Sequence, residues 1–167
     1  MIEIRGLEAV QRKLKGLSEL GRNTEPLMWT IGHVMLNSIE DSFENEKSPF
    51  GEKWAALKPS TAAQKAKKGK SNKILRRDGY LADKWVVDAD NKKTVVSNNS
   101  KHKGFAYGLV HQFGTRKAGR GKSTFIPARP FLPVNKSGKL QRDIQKIIKT
   151  EMIKFIKKFN GEYETRN

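Results

Sequence analysis

The 167-residue chain has no cysteine, which excludes disulfides and thiolate metal sites and agrees with a reducing compartment. It has no apolar run of about 18 residues, and its opening stretch, MIEIRGLEAVQRKLKG, is charged from Glu3 onward. Neither a membrane span nor a secretory signal is therefore expected. Histidine is scarce: His33, His102 and His111 are the only three. None has a histidine or carboxylate three or four residues on, the spacing of a metal pair or of a base with its orienting partner. Acidic residues are few, 17 against 34 Lys and Arg, for a net charge of +17.

The basic excess is segregated. Residues 1–60 carry 8 basic and 9 acidic side chains, residues 61–124 carry 16 and 4, and residues 125–167 carry 10 and 4. A field concentrated in the middle third fits a polyanionic neighbour, or equally a solvated lysine surface. The length fits one domain that buries about two thirds of its unfolded surface.

The apolar pattern predicts an α+β domain, with a small antiparallel sheet, long N- and C-terminal helices packed on it, and two flexible basic loops. Leu7, Val10, Leu14, Leu17 and Leu20 are at helical spacing with Gly21 as a stop. A second, longer helix is expected from a Thr24 cap, with Glu25 and Pro26 in its first turn and Leu27, Ile31, Val34, Met35, Ile39 and Phe43 on one face. Together they make residues 7–46 helical. KSPFGEKWAALKPST reads as a structured loop anchored by Phe50, Trp54 and Leu57, and residues 63–73 as a mobile basic loop.

A sheet region is expected over 84–134. It opens with a hairpin whose strands flank a turn at Asp88–Asn91. A short turn or helix around Leu75 and Leu81 precedes it, and FAYGLVHQFGT is compatible with a buried strand or a short helix. Residues 138–159 form the C-terminal helix, aligning Leu140, Ile144, Ile147, Ile148, Met152, Phe155, Ile156 and Phe159, and the tail beyond should fray. In FIPARPFLPV, residues 125–134, three prolines exclude helix and the middle of a sheet, so the segment reads as an edge or a rigid apolar strap.

Catalytic chemistry finds little support. His33 reads as a core or helix-surface imidazole, His102 lies in a lysine-rich loop, and His111 reads as structural, bonded to a buried backbone group, or as serving a site at a chain junction. Glu40 and Glu44 share a helix face and read as a solvated acidic helix end. GTRKAGRGKST lacks the spacing of a phosphate-binding loop and runs into prolines rather than a helix. No catalytic residue, metal site or cofactor is expected.

Four blocks in order carry a resemblance: Pro49, Gly51, Trp54; then Leu75, Arg76, Gly79, Leu81; then His111 to Gly114; then Ile126 to Leu132. The chain resembles the Mu G-like phage virion morphogenesis proteins, also called tail completion proteins, over roughly residues 5–158. Pro133 and the lysine-rich insertion at 65–73 depart from that pattern.

The resemblance implies a non-enzymatic structural subunit of a phage or prophage that acts in tail completion and head–tail joining. It would be present in the host cytoplasm during assembly and in the tail or neck of the virion. Its implied partners are other tail or neck proteins and like subunits in a ring, with no membrane. The strap, Phe125, Ile126, Pro127, Arg129, Pro130, Phe131 and Leu132, then either covers an exposed edge of the domain's own sheet or inserts into a neighbouring subunit, with Arg129 forking to a carboxylate or carbonyl. Lys65, Lys67, Lys68, Lys70, Arg116, Lys117, Arg120 and Lys122 are candidate contacts to the DNA backbone. The rival reading, from charge alone, is a basic protein that binds nucleic acid without regard to sequence.

Overall fold

The computed structural model describes residues 15–16 and 18–165. Most of the first expected helix lies outside them. What is described of it, α1, is helical through residue 22, so Gly21 falls within the helix and does not end it. Helix α2, Glu25–Asn45, follows with Pro26 in its first turn. Thr24 sits at the N-cap position but makes no side-chain cap; its hydroxyl donates to the carbonyl of Asn91, and Asn91 Oδ1 accepts from the Glu25 N–H at 3.0 Å. The cap is supplied by a distant turn, which local sequence does not show.

That turn belongs to a hairpin, β1 (Val86–Ala89) and β2 (Thr94–Ser97), paired antiparallel with Ala89 opposite Thr94. The turn spans residues 90–93, two later than expected, because Asp90 Oδ1 accepts from the N–H groups of Lys92 (2.7 Å) and Lys93 (3.0 Å). The hairpin packs on α2 at Gly32, where a Cβ would lie 2.4 Å from Val87 Cγ1 and 2.5 Å from Thr94 Oγ1. Any side chain there would push the two elements apart.

The α+β class holds, but the expected single sheet is two separate two-stranded ribbons, β1–β2 and β3 (Thr115–Ala118) with β4 (Thr124–Ile126). Between them, the ambiguous stretch resolves as helix α5, Tyr107–Phe113. Helix α3, Pro59–Lys67, occupies the start of the segment expected as a mobile loop at 63–73, and the four-residue helix α4, Tyr80–Asp83, carries Leu81.

The final helix, α6, runs Arg142–Thr165 and packs on α2. It begins four residues later than expected, because the Val134–Leu140 bridge closes a turn before it and Gln141 Oε1 accepts from the N–H groups of Asp143 and Ile144. It also continues to Thr165, into the tail expected to fray. Only a narrow stripe of α6 is covered: Ile144, Ile148, Phe155 and Phe159 are half-buried, whereas Ile147, Met152 and Ile156 are exposed. One partner helix shields less than the broad face the sequence suggests.

The core is Ile39, Phe43, Trp54, Ile74, Leu81, Ala82 and Phe131, with Leu57, Trp85, Tyr107 and Leu132 packed against it. Its aromatic centre sets Phe43 against Trp54 (ring centroids 5.5 Å) and Phe131 (5.3 Å), with Trp85 edge-on to Phe131 at 5.8 Å. Phe50, an expected anchor, is exposed.

Candidate functional site

Residues 127–133 form the strap, and the other three sequence blocks converge on it. Trp54 Nε1 donates to the carbonyl of Pro130 at 2.8 Å. The carbonyl of His111 accepts from the Arg129 N–H at 2.6 Å. Gln112, buried, places Oε1 between the N–H groups of Phe131 (2.9 Å) and Leu132 (3.0 Å). Leu81 and Phe131 share the core. At Gly114, with φ +70°, a Cβ would lie 2.7 Å from the backbone nitrogen of Ala128, so only glycine lets the α5–β3 turn meet the strap.

Arg129 makes the expected fork, to carbonyls: Nε donates to Ala55 O at 2.8 Å and Nη2 to Ala56 O at 3.0 Å. It is buried, and burial lowers its pKa. The strap therefore straps the 54–56 loop and α5 to the aromatic core, rather than covering a sheet edge as expected. Phe131 and Pro133 are buried and Leu132 half-buried, but Phe125 is exposed and belongs, with half-buried Ile126, to strand β4. Sequence reasoning missed Gln112; the only signal was a lone amide inside an apolar run.

The candidate DNA-contacting cations divide. Lys65 is buried, with Nζ donating to the carbonyls of Lys73 (2.6 Å) and Arg76 (3.2 Å), so it does not face a polyanion. Burial lowers its pKa, and nearby Glu46 opposes the shift. Lys70 pairs with Asp78 at 2.6 Å, and that hydrogen bond holds the Asp78 carboxyl below the usual range. Glu44 is similarly lowered by Lys73, which it meets at 2.6 Å, while Arg76 reaches Asp83 at 2.8 Å. Of these links, those of Lys73 and Arg76 to Glu44 tie the segment to α2. Lys67 and Lys68 are exposed. Arg116, Lys117, Arg120 and Lys122 are exposed on the β3–β4 hairpin, with Arg116 over the Phe125 ring at 5.8 Å.

Beside the strap lies a groove of about 680 Å³ between α3, the 75–81 stretch, α5 and β4. His111 lines it; burial, then the neighbouring Arg129, lowers the imidazole pKa, and its buried Nδ1 has no hydrogen-bond partner among the described residues. Its backbone carbonyl, rather than its ring, makes the expected backbone bond. His33 is exposed and stacked on Trp29, and His102 bridges to Phe105. Among the described residues, no group of three His, Asp or Glu side chains converges as a metal site, and no helix is long and apolar enough to cross a membrane.

A family model described as the phage virion morphogenesis family matches residues 6–152. The chain is 30% identical over 133 residues to Mu-like prophage FluMu G protein 1 of Haemophilus influenzae, covering 77% of this chain and 80% of that protein. It is 28% identical over 131 residues to FluMu G protein 2 of the same organism, covering 78% and 81%. To the putative capsid assembly protein G of Escherichia phage Mu it is 26% identical over 133 residues, covering 77% and 82%. No solved structure matches.

Proposed function

The chain belongs to the phage virion morphogenesis family and has a role in building phage particles, and from that premise we propose that it completes the tail and joins it to the head. It does so as a non-enzymatic structural subunit, with like subunits arranged in a ring against tail or neck proteins. It is present in the host cytoplasm during assembly and in the tail or neck of the particle. The observation that carries this reading is the match across residues 6–152, whose sequence blocks fold into one junction at the strap. Such a junction holds a surface in fixed shape, which suits assembly, and assembles no nucleophile, base and orienting group. A closed ring is the economical way for like subunits to cap a tube.

The test is deletion of the gene from an inducible prophage, followed by electron microscopy. Filled heads beside unattached tails, restored to complete particles by the gene in trans, is the expected result. Complete particles without the protein would overturn the reading, and a shortage of heads would move the role to capsid assembly, the activity that the phage Mu relative's name describes.

The alternative, sequence-independent nucleic-acid binding, rests on one observation: Lys117, Arg120 and Lys122 have no acidic partner among the described residues. It extends the assembly reading if these cations face DNA passing through the joint.

A further inference from the structure

The groove beside the strap combines an apolar lining with a basic rim. Leu57, Leu75, Leu81, Tyr107, Ile126 and Pro127 contribute apolar surface. Its one carboxylate, Asp78, is taken by Lys70 and lies 3.6 Å from Arg77. Lys58, Lys68 and Lys101 are exposed at the rim and none is in an ion pair among the described residues, although Lys68 is near enough to Asp78 to help lower its pKa. The surface is therefore complementary to negative charge on a partner that also brings apolar groups.

The spacing of the cations narrows the partner's shape. Lys58 and Lys68 occupy the N-cap and C-cap positions of α3, their backbones about 15 Å apart along the helix axis. Carboxylates four or five residues apart on an extended chain, rising about 3.3 Å per residue, match that spacing without either side chain reaching inward. The volume lies within the range of about 300–1,000 Å³ typical of sites that bury compact ligands. A DNA duplex presents phosphates on a wide rod and would leave this lining uncovered.

We propose that the groove docks an extended acidic segment of another protein of the particle, with carboxylates on Lys58, Lys68 and Lys101 and an aliphatic or aromatic side chain seated between them. This rests on the assembly reading only for where the partner is sought.

The experiment measures anisotropy of a fluorescein-labelled Glu-Asp-Leu-Phe-Glu-Asp peptide with the full chain. The comparison ligands are the same peptide with Ser-Ser replacing Leu-Phe and a short oligothymidylate. The Lys58→Glu, Lys68→Glu, Lys101→Glu triple variant changes only exposed side chains, and Phe125→Ala trims an exposed groove-lining ring. Expected are binding by the Leu-Phe peptide, at least about tenfold weakening in the triple variant, and at least about threefold weakening in Phe125→Ala, with unchanged melting. The Ser-Ser peptide should bind more weakly. No binding by the Leu-Phe peptide, equal binding of the two peptides, or binding untouched by the triple variant overturns the proposal. Displacement of the peptide by stoichiometric oligothymidylate transfers the groove to nucleic acid and also overturns it.

Complementation of the deleted prophage separates the two readings. If the deletion blocks joining and the triple variant restores it fully, the groove is wrong and the assembly role stands. If the deletion leaves joining intact, the assembly role fails while the peptide result still decides the groove.

Discussion

The β3–β4 hairpin and the strap that follows it are consecutive in the chain, yet one faces solvent and the other the core. Phe125 is 53% exposed and Phe131 is 3% exposed, although both sit in one proline-rich decapeptide. Arg120 stands free at the hairpin turn, whereas Arg129 is buried on two carbonyls. What separates them is the presence of convergent acceptors. The N–H groups of Arg129, Phe131 and Leu132 all meet oxygens of α5 residues, while the hairpin bonds chiefly to itself. Proline removes donors that would otherwise need partners, which lets so short a segment lie buried.

The largest break in that contrast should come from Phe131→Ala. Emptying its place between Phe43 and Trp85 is expected to cost about 3–5 kcal/mol, most of a small domain's stability. Phe125→Ala should stay within about 0.5 kcal/mol. Urea denaturation of both variants measures the difference, and equal losses would erase the distinction between hairpin and strap.

Arg129→Met comes next. It leaves the carbonyls of Ala55 and Ala56 without their donor, with an expected loss of about 1–3 kcal/mol. Arg129→Lys should recover only part, since one ammonium does not reproduce the planar fork. Arg120→Met, the matched change on the hairpin, should leave the denaturation midpoint where it was.

How much of this was legible follows from which interactions are local. Helix α2, the existence of the β1–β2 hairpin and the stiffness of the strap were readable, because each rests on periodicity, on β-branched runs or on proline within a few residues. The fork of Arg129 onto carbonyls was foreseen as a type of contact, though not its partners. The Asn91 cap of α2, the Gln112 bridge and the burial of Lys65 were not readable, since each joins residues that are far apart in the chain or depends on a backbone path. Lys65 and Lys122 have similarly basic, glycine-bearing neighbourhoods. Only the fold brings the carbonyls of Lys73 and Arg76 to one of them.

A smaller effect is expected from pH, again on the strap side. Burial and Arg129 lower the His111 pKa below its ordinary 6.5, so below that value the unfolded chain binds the proton more readily than the native one. Stability should therefore fall as pH drops through about 6.5, and stop falling once the native imidazole also protonates. His111→Gln should flatten this step in denaturation midpoints measured at about pH 7.5 and about pH 5.5. The lowered carboxylates Glu44, Asp78 and Asp143 act in the same direction at lower pH. The stability they lend is present above their ordinary pKa near 4 and is lost below it. A step unchanged in His111→Gln would remove His111 as its source.

The smallest effect on folding should come from the hairpin itself. Arg116, Lys117, Arg120 and Lys122 changed together to Gln should leave stability within about 0.5 kcal/mol per site, because these side chains have no buried partner to lose. If they face DNA in the particle, the variant should bind duplex more weakly at low salt. The slope of log affinity against log salt should also flatten by about 0.9 for each phosphate contact removed. Base sequence should not matter, since contacts to phosphate carry none of it. Lys65→Gln is the matched control: it should lower stability by stranding two carbonyls and leave the salt slope alone. If the quadruple variant keeps the wild-type slope and delivers DNA normally, the hairpin cations serve only to keep the free subunit soluble. If Lys65→Gln flattens the slope as much as the quadruple variant does, the division into inward and outward cations fails.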